Sequence, residues 1–137
     1  MIKSINHIGI AVKDLDESVS LYSKIFDLSN LHREEVKDQK VKVASFKVGD
    51  VLLELTQGTS PDSPISKFIE KRGEGIHHIA FESDDVNQEL GRLKDNGIRL
   101  VDEEAKPGAH DMLIAFLHPK STGGVLTELC QEKKAND

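Results

Sequence analysis

Asn6-His7-Ile8-Gly9-Ile10-Ala11-Val12 and His77-His78-Ile79-Ala80-Phe81-Glu82-Ser83 are two versions of one segment, with His7 matching His78 at an offset of 71 residues. The same offset carries Asp14-Leu15-Asp16-Glu17 onto Asp85-Val86-Asn87-Gln88, Val19 onto Leu90 and Tyr22 onto Leu93. Further on, Val51-Leu52-Leu53-Glu54-Leu55-Thr56 matches Val125-Leu126-Thr127-Glu128-Leu129-Cys130 at an offset of 74, the extra residues fitting a longer loop. The chain is therefore a duplication, and its architecture follows from one module read twice.

Each module opens with a period-two strand: Ile8, Ile10 and Val12 share one face, and His7, Gly9 and Ala11 the other. Asp14 and Asp85 then stand as N-caps, followed three residues later by Glu17 and Gln88 in capping-box spacing. Leu15, Val19, Tyr22 and Phe26 recur at helical spacing, as do Val86, Leu90 and Leu93 before a stop at Gly97. Three strands follow in each half: about 31–35, 42–48 and 51–56, then about 99–103, 113–118 and 125–130. Ser63-Pro64 opens a short linking helix through Ile65, Phe68 and Ile69 that ends near Gly73. The polar tail from Gln131 to Asp137 is expected to fray. The predicted fold is α+β: one domain over 1–137, made of two tandem βαβββ modules (about 4–58 and 75–131) that pair their sheets around a groove.

Composition narrows the function. The 137 residues are 37% hydrophobic and 31% charged, the balance of a globular domain, and no apolar run reaches membrane-spanning length. A soluble, cytoplasmic protein is expected. Eighteen Lys and Arg against 24 Asp and Glu give a net charge of −6, which leaves no basic excess for nucleic acid. The single cysteine, Cys130, excludes an intrachain disulfide and a cysteine-rich metal site.

Strand parity then selects the chemistry. If Ile8, Ile10 and Val12 face the helix, His7 faces the groove, and the repeat sends His78 with it. Val51, Leu53 and Leu55 share the core side, so Glu54 lies opposite, and Glu128 repeats this. Taken singly, a strand histidine is usually a hydrogen-bonded core residue and a strand glutamate a solvated one. Two of each at pseudo-symmetric positions converge as an N2O2 set, His7, Glu54, His78 and Glu128, suited to Zn, Co, Ni, Mn or Fe(II). His77 has the packing parity, and His32, His110 and His118 lie in or near loops. Gln57 falls on the opposite side from Glu54, and Cys130 shares the parity of Glu128 but reads as a small buried thiol.

Asn6-His7-Ile8-Gly9-Ile10-Ala11-Val12, His32-Arg33-Glu34-Glu35, Gly75-Ile76-His77-His78-Ile79-Ala80 and Phe116-Leu117-His118-Pro119-Lys120-Ser121-Thr122-Gly123-Gly124-Val125-Leu126-Thr127-Glu128-Leu129 together resemble the vicinal oxygen chelate superfamily. Within it, the double histidine and the His118-to-Leu126 block are most similar to the methylmalonyl-CoA epimerases. The resemblance covers the whole chain. It implies one divalent metal ion per chain on His7, His78 and Glu128, with Glu54 at a fourth position where some epimerases have glutamine. It also implies interconversion of the 2R and 2S forms of methylmalonyl-CoA through a metal-stabilised enolate, and a homodimer.

Inversion needs an acid and a base on opposite faces of the reacting carbon, a role for which Glu54 and Glu128, from opposite modules, form the candidate pair. Some epimerases carry a further glutamate on the strand after the His-Arg-Glu-Glu segment, whereas Lys42-Val43-Ala44-Ser45-Phe46 has none. For the coenzyme A tail, Lys120 and the Ser121, Thr122 and Gly123 loop are candidates, with Lys106 and Arg72 as further cations. Two other readings share the fold: glyoxalase I, which the same quartet fits, and a metal-free small-molecule binding or resistance protein.

Overall fold

The computed structural model describes residues 1–133. Its elements run β1 (Ile2–Ala11), α1 (Leu15–Phe26), β2 (His32–Val36), β3 (Val41–Val48), β4 (Val51–Gly58), α2 (Pro64–Arg72), β5 (Gly75–Ser83), α3 (Val86–Asp95), β6 (Lys106–Pro107), β7 (Met112–Leu117) and β8 (Thr127–Glu132). The βαβββ order appears twice with α2 between, as the repeat requires. By contacts the chain forms two compact units, one of Ile8–His77 and one of Met1–His7 together with the chain from His78 onward.

In the Ile8–His77 unit the strand order is β2-β3-β4 followed by the second half of β1. Helix α1 starts where Asp14 accepts the Glu17 amide at 3.0 Å, and ends at Asp27 in the left-handed region. One sheet face buries Val12, Leu15, Ala44 and Leu55, packed by Ile10, Val19, Tyr22 and Leu31. A second cluster joins Ala11, Val41 and Val43 to Ile65 of α2. Each large aliphatic side chain so buried contributes about 1.5–3 kcal/mol. Helix α2 begins where Ser63, fully buried, accepts the Ile65 amide at 3.2 Å.

That docking leaves no room at Gly58, where a β-carbon would stand 2.1 Å from Ser66 Oγ and 2.8 Å from Ser63 Oγ. Gly58→Ala should therefore lose about 1–3 kcal/mol of stability by overpacking, read as a lower urea midpoint at unchanged slope. An unchanged midpoint would mean that α2 shifts freely.

In the other unit the order is the first half of β1, then β5-β8-β7-β6, with β5 and β8 parallel and β7 antiparallel to β8. Asp85 accepts the Gln88 amide at 3.1 Å to start α3, whose Val86 and Leu90 pack on Ala115, Leu117 and Leu129. The opposite sheet face carries Ala80, Met112, Ile114 and Cys130, with Phe116 packed against them. That face bears the chemistry.

Three expectations are corrected. Residues 99–103 are not a strand beyond one bridge, Leu100 to Leu117, and the edge strand is the short β6 instead. The reason is Asp102: its carboxylate accepts the Phe116 amide at 2.8 Å, while the Val101 and Asp102 amides both donate to the Phe116 carbonyl, so a side chain takes a hydrogen bond a ladder would use. Val125 and Leu126 belong to the turn, and β8 begins at Thr127. Gln131 and Glu132, read as tail, extend β8, because the buried Gln131 Oε1 accepts the Val86 amide at 2.6 Å. Residues 134–137 of that tail lie outside the described residues. Gln57 does the same for the Leu15 amide at 2.8 Å, so each module closes its helix N-terminus with a glutamine from its own last strand.

Candidate active site

The ladder fixes the site's backbone. Glu128 pairs with Ala80 across the parallel β5–β8 contact and with Phe116 across the antiparallel β7–β8 contact, so the carboxylate rises from a central strand held on both sides. It is 3% exposed, and a carboxylate there is costly unless it is partnered. Its partners are the two histidines that parity selected. Glu128 Oε2 stands 3.2 Å from His7 Nε2, and Oε1 stands 3.4 Å from His78 Nε2. The two Nε2 atoms are 3.1 Å apart, and the imidazole rings meet at 90°.

These three separations test the donor set. Nitrogen and oxygen donors bound at about 2.0–2.2 Å, with angles between about 90° and 110°, stand about 2.8–3.6 Å apart. All three distances fall in that range, so His7, His78 and Glu128 fit a common divalent cation. The outer contacts agree. His7 Nδ1–H donates to Asn6 Oδ1 at 2.7 Å, which leaves the Nε2 lone pair directed at the same point as Glu128. His78 is held edge-on by Phe116, centroids 5.6 Å apart. Asn6 was legible only as part of a repeated strand, because its work is to fix a tautomer.

Cys130 is the small buried thiol that its place beside Glu128 implied. Fully buried on the face of Glu128, it offers its sulfur within 4.8 Å of donors from His7 and Glu128, while the thiol reaches the Phe81 carbonyl at 3.6 Å. Glu54 lies in the Ile8–His77 unit, 4% exposed, opposite Ser45 on β3 and on the strand face it shares with Thr56.

The His118–Gly124 turn has a definite internal structure. Helical turn Pro119–Ser121 is capped by His118 Nδ1, which accepts the Lys120 amide at 3.1 Å. Ser121 Oγ accepts the Arg99 amide at 2.9 Å, and Thr122 Oγ1 donates to the Val125 carbonyl. The Ser121, Thr122, Gly124 and Val125 amides donate to carbonyls within the turn. The Ser121 and Thr122 hydroxyls thus shape the loop, and its exposed Lys120 ammonium is what it presents outward.

Of the remaining cations, Lys106 pairs with Asp102 at 3.0 Å and lies over the Phe116 ring, while Arg72 lies over Phe68. His77 packs edge-on against Phe68, the packing role its parity implied. His32 contacts Glu34 at 3.1 Å, and His110 adopts a left-handed backbone with φ 57° in the turn before β7.

Comparison with known proteins gives the context for this geometry. The model of the glyoxalase/bleomycin resistance protein/dioxygenase superfamily matches residues 6–116, a span that takes in both histidines and stops short of Glu128. A Bacillus subtilis protein, the uncharacterized protein YqjC, is 43% identical over 129 residues, covering 94% of this chain and 92% of that one. Human mitochondrial methylmalonyl-CoA epimerase is 38% identical over 128 residues, 93% of this chain and 73% of its own. A solved structure of a Streptomyces coelicolor methylmalonyl-CoA epimerase variant, in complex with 2-nitronate-propionyl-CoA, is similar with a TM-score of 0.92 at 38% identity, covering 96% of each chain. Among the described residues no helix is long and apolar enough to cross a membrane.

Proposed function

Because this chain belongs to the glyoxalase/bleomycin resistance protein/dioxygenase superfamily and, within it, to the methylmalonyl-CoA epimerase family, we propose that it interconverts the 2R and 2S forms of methylmalonyl-CoA. The observation that carries this reading is the convergence of His7, His78 and Glu128 at 3.1–3.4 Å on one buried face. That donor set also argues against a metal-free binding protein. In this reading His7, His78 and Glu128 hold one divalent cation, and the resemblance adds Glu54. Such a cation, when bound, supplies Lewis-acid stabilisation of the negative charge that develops on the oxygens flanking the reacting carbon.

The residues do the rest. The carbon between a thioester and a carboxylate gives up its proton to a carboxylate base and regains one from the opposite face. Glu128 is a base held still by two ladder neighbours, so its orientation costs little at the moment of transfer. Glu54 is the proposed partner. Asn6 keeps His7 in one tautomer, and burial of the whole cluster excludes competing water. The coenzyme A end of the substrate is assigned to the turn of Lys120, Ser121, Thr122 and Gly123. A cytoplasmic homodimer completes the proposal and rests on the resemblance.

The direct test is incubation of purified, metal-loaded protein with one epimer of methylmalonyl-CoA in deuterated water. Deuterium at the reacting carbon together with the opposite epimer supports the reading, and no exchange overturns it. Glu54→Gln separates ligation from proton transfer. If Glu54 is the second acid/base, the variant exchanges the proton of one epimer with solvent but inverts it at least about a hundredfold more slowly. Undiminished inversion would move the second acid/base to another residue.

A further inference from the structure

Local sequence preference is most often overridden where a site needs the exception, and the 99–103 segment is overridden at Asp102. Both oxygens of that carboxylate are engaged. Oδ2 accepts the Phe116 amide at 2.8 Å, and Oδ1 pairs with the Lys106 ammonium at 3.0 Å. The Val101 and Asp102 amides donate in turn to the Phe116 carbonyl at 2.9 and 3.2 Å. Both backbone groups of Phe116 thus point away from β8. Phe116 and Glu128, opposite each other in the ladder, are therefore a non-hydrogen-bonded pair, the kind in which facing side chains stand closest.

Lys106 completes the hold on the ring. In β6 it stands opposite Ile114, which shares with Phe116 the face of β7 that bears the chemistry. Its ammonium lies 5.7 Å from the Phe116 ring centroid, and the Asp102 side chain that anchors it is only 15% exposed. The same ring meets the His78 imidazole, centroids 5.6 Å apart at 83°. His78 Nε2 in turn stands 3.1 Å from His7 Nε2 and 3.4 Å from Glu128 Oε1. A ring that packs on His78 and faces Glu128 constrains two of the three converging donors at once. Freedom given to Phe116 is freedom given to both, and a cation is held well only where its donors stay aimed.

We propose that Asp102 and Lys106 are positioning residues for the cation site, acting through Phe116 on His78 and Glu128. The assignment rests on the reading of His7, His78 and Glu128 as cation ligands.

The test uses the full chain and Co(II), whose absorption bands report its ligand field. Asp102→Ala should weaken Co(II) binding about tenfold or more, the scale of losing a group that orients a ligand. Lys106→Met keeps the aliphatic stem and removes the charge; it should weaken binding about two- to fivefold, the scale of an exposed cation over a ring. Lys106→Arg should restore it. In both weakened variants the bands of the loaded protein should shift, and at saturating Co(II) the loss on methylmalonyl-CoA should fall in kcat rather than KM. Asp102→Asn combined with Lys106→Met should lose less than the two single losses together, because each breaks the same pair.

Wild-type Co(II) affinity and bands in Asp102→Ala and Lys106→Met overturn the proposal, even where the urea midpoint drops, since that pattern is a purely structural role. An effect confined to Asp102→Ala removes Lys106 from it. A Lys106→Met protein that binds Co(II) normally but free coenzyme A more weakly also overturns it, by making Lys106 a substrate contact. If Asp102→Ala does not fold, the two Lys106 variants decide. Wild-type protein that takes up neither Co(II) nor Zn(II) overturns the cation reading itself, and the proposal with it.

Discussion

Glu128→Gln is expected to lower epimerisation by about a hundredfold or more while leaving bound metal and cooperative unfolding in place. The side chain is 3% exposed on a strand whose neighbours Leu129 and Cys130 are themselves buried, so an amide of the same size keeps the packing. It also keeps one carbonyl oxygen among the donors. What it loses is the negative charge and the basicity, the two properties on which proton abstraction depends. Steady-state epimerisation measured beside metal analysis of the same preparation separates the outcomes. Loss of rate with metal retained identifies Glu128 as a proton carrier. Loss of both would make it a ligand alone, and a wild-type rate would place proton transfer on a different side chain.

Much of this site was legible before any coordinates because duplication converts weak local signals into a joint one. A lone strand histidine says little, but His7 and His78 in the same register, with Glu128 forced to the same face by alternation, leave few arrangements. The structure places their donor atoms 3.1–3.4 Å apart. Less legible was everything decided by a side chain competing with the backbone. Residues 99–103 carry strand-like composition, yet Asp102 takes the Phe116 amide and the ladder gives way there. Gln57 and Gln131 match at the repeat offset of 74, but nothing in periodicity says that a glutamine will cap a helix some forty residues earlier in the chain.

The same logic orders the expected effects around the two histidines. His7→Ala and His78→Ala should each remove most of the bound metal and nearly all activity, because either change takes away one of three converging donors and leaves Glu128 facing a single imidazole. The fold should survive. Neither imidazole belongs to the three apolar clusters that hold α1, α2 and α3 against their strands, and urea unfolding should remain one cooperative transition. Asn6→Ala supplies the graded case: it leaves every donor in place and releases only the 2.7 Å hydrogen bond that fixes the His7 tautomer, so metal affinity should fall by about 10–100-fold rather than vanish. Equilibrium dialysis against a divalent metal, run on all three variants, reads the series directly. Full occupancy in both histidine variants would remove the shared cation from the site, whereas an Asn6→Ala loss as large as that of His7→Ala would show that Asn6 is itself a ligand rather than the group that orients one.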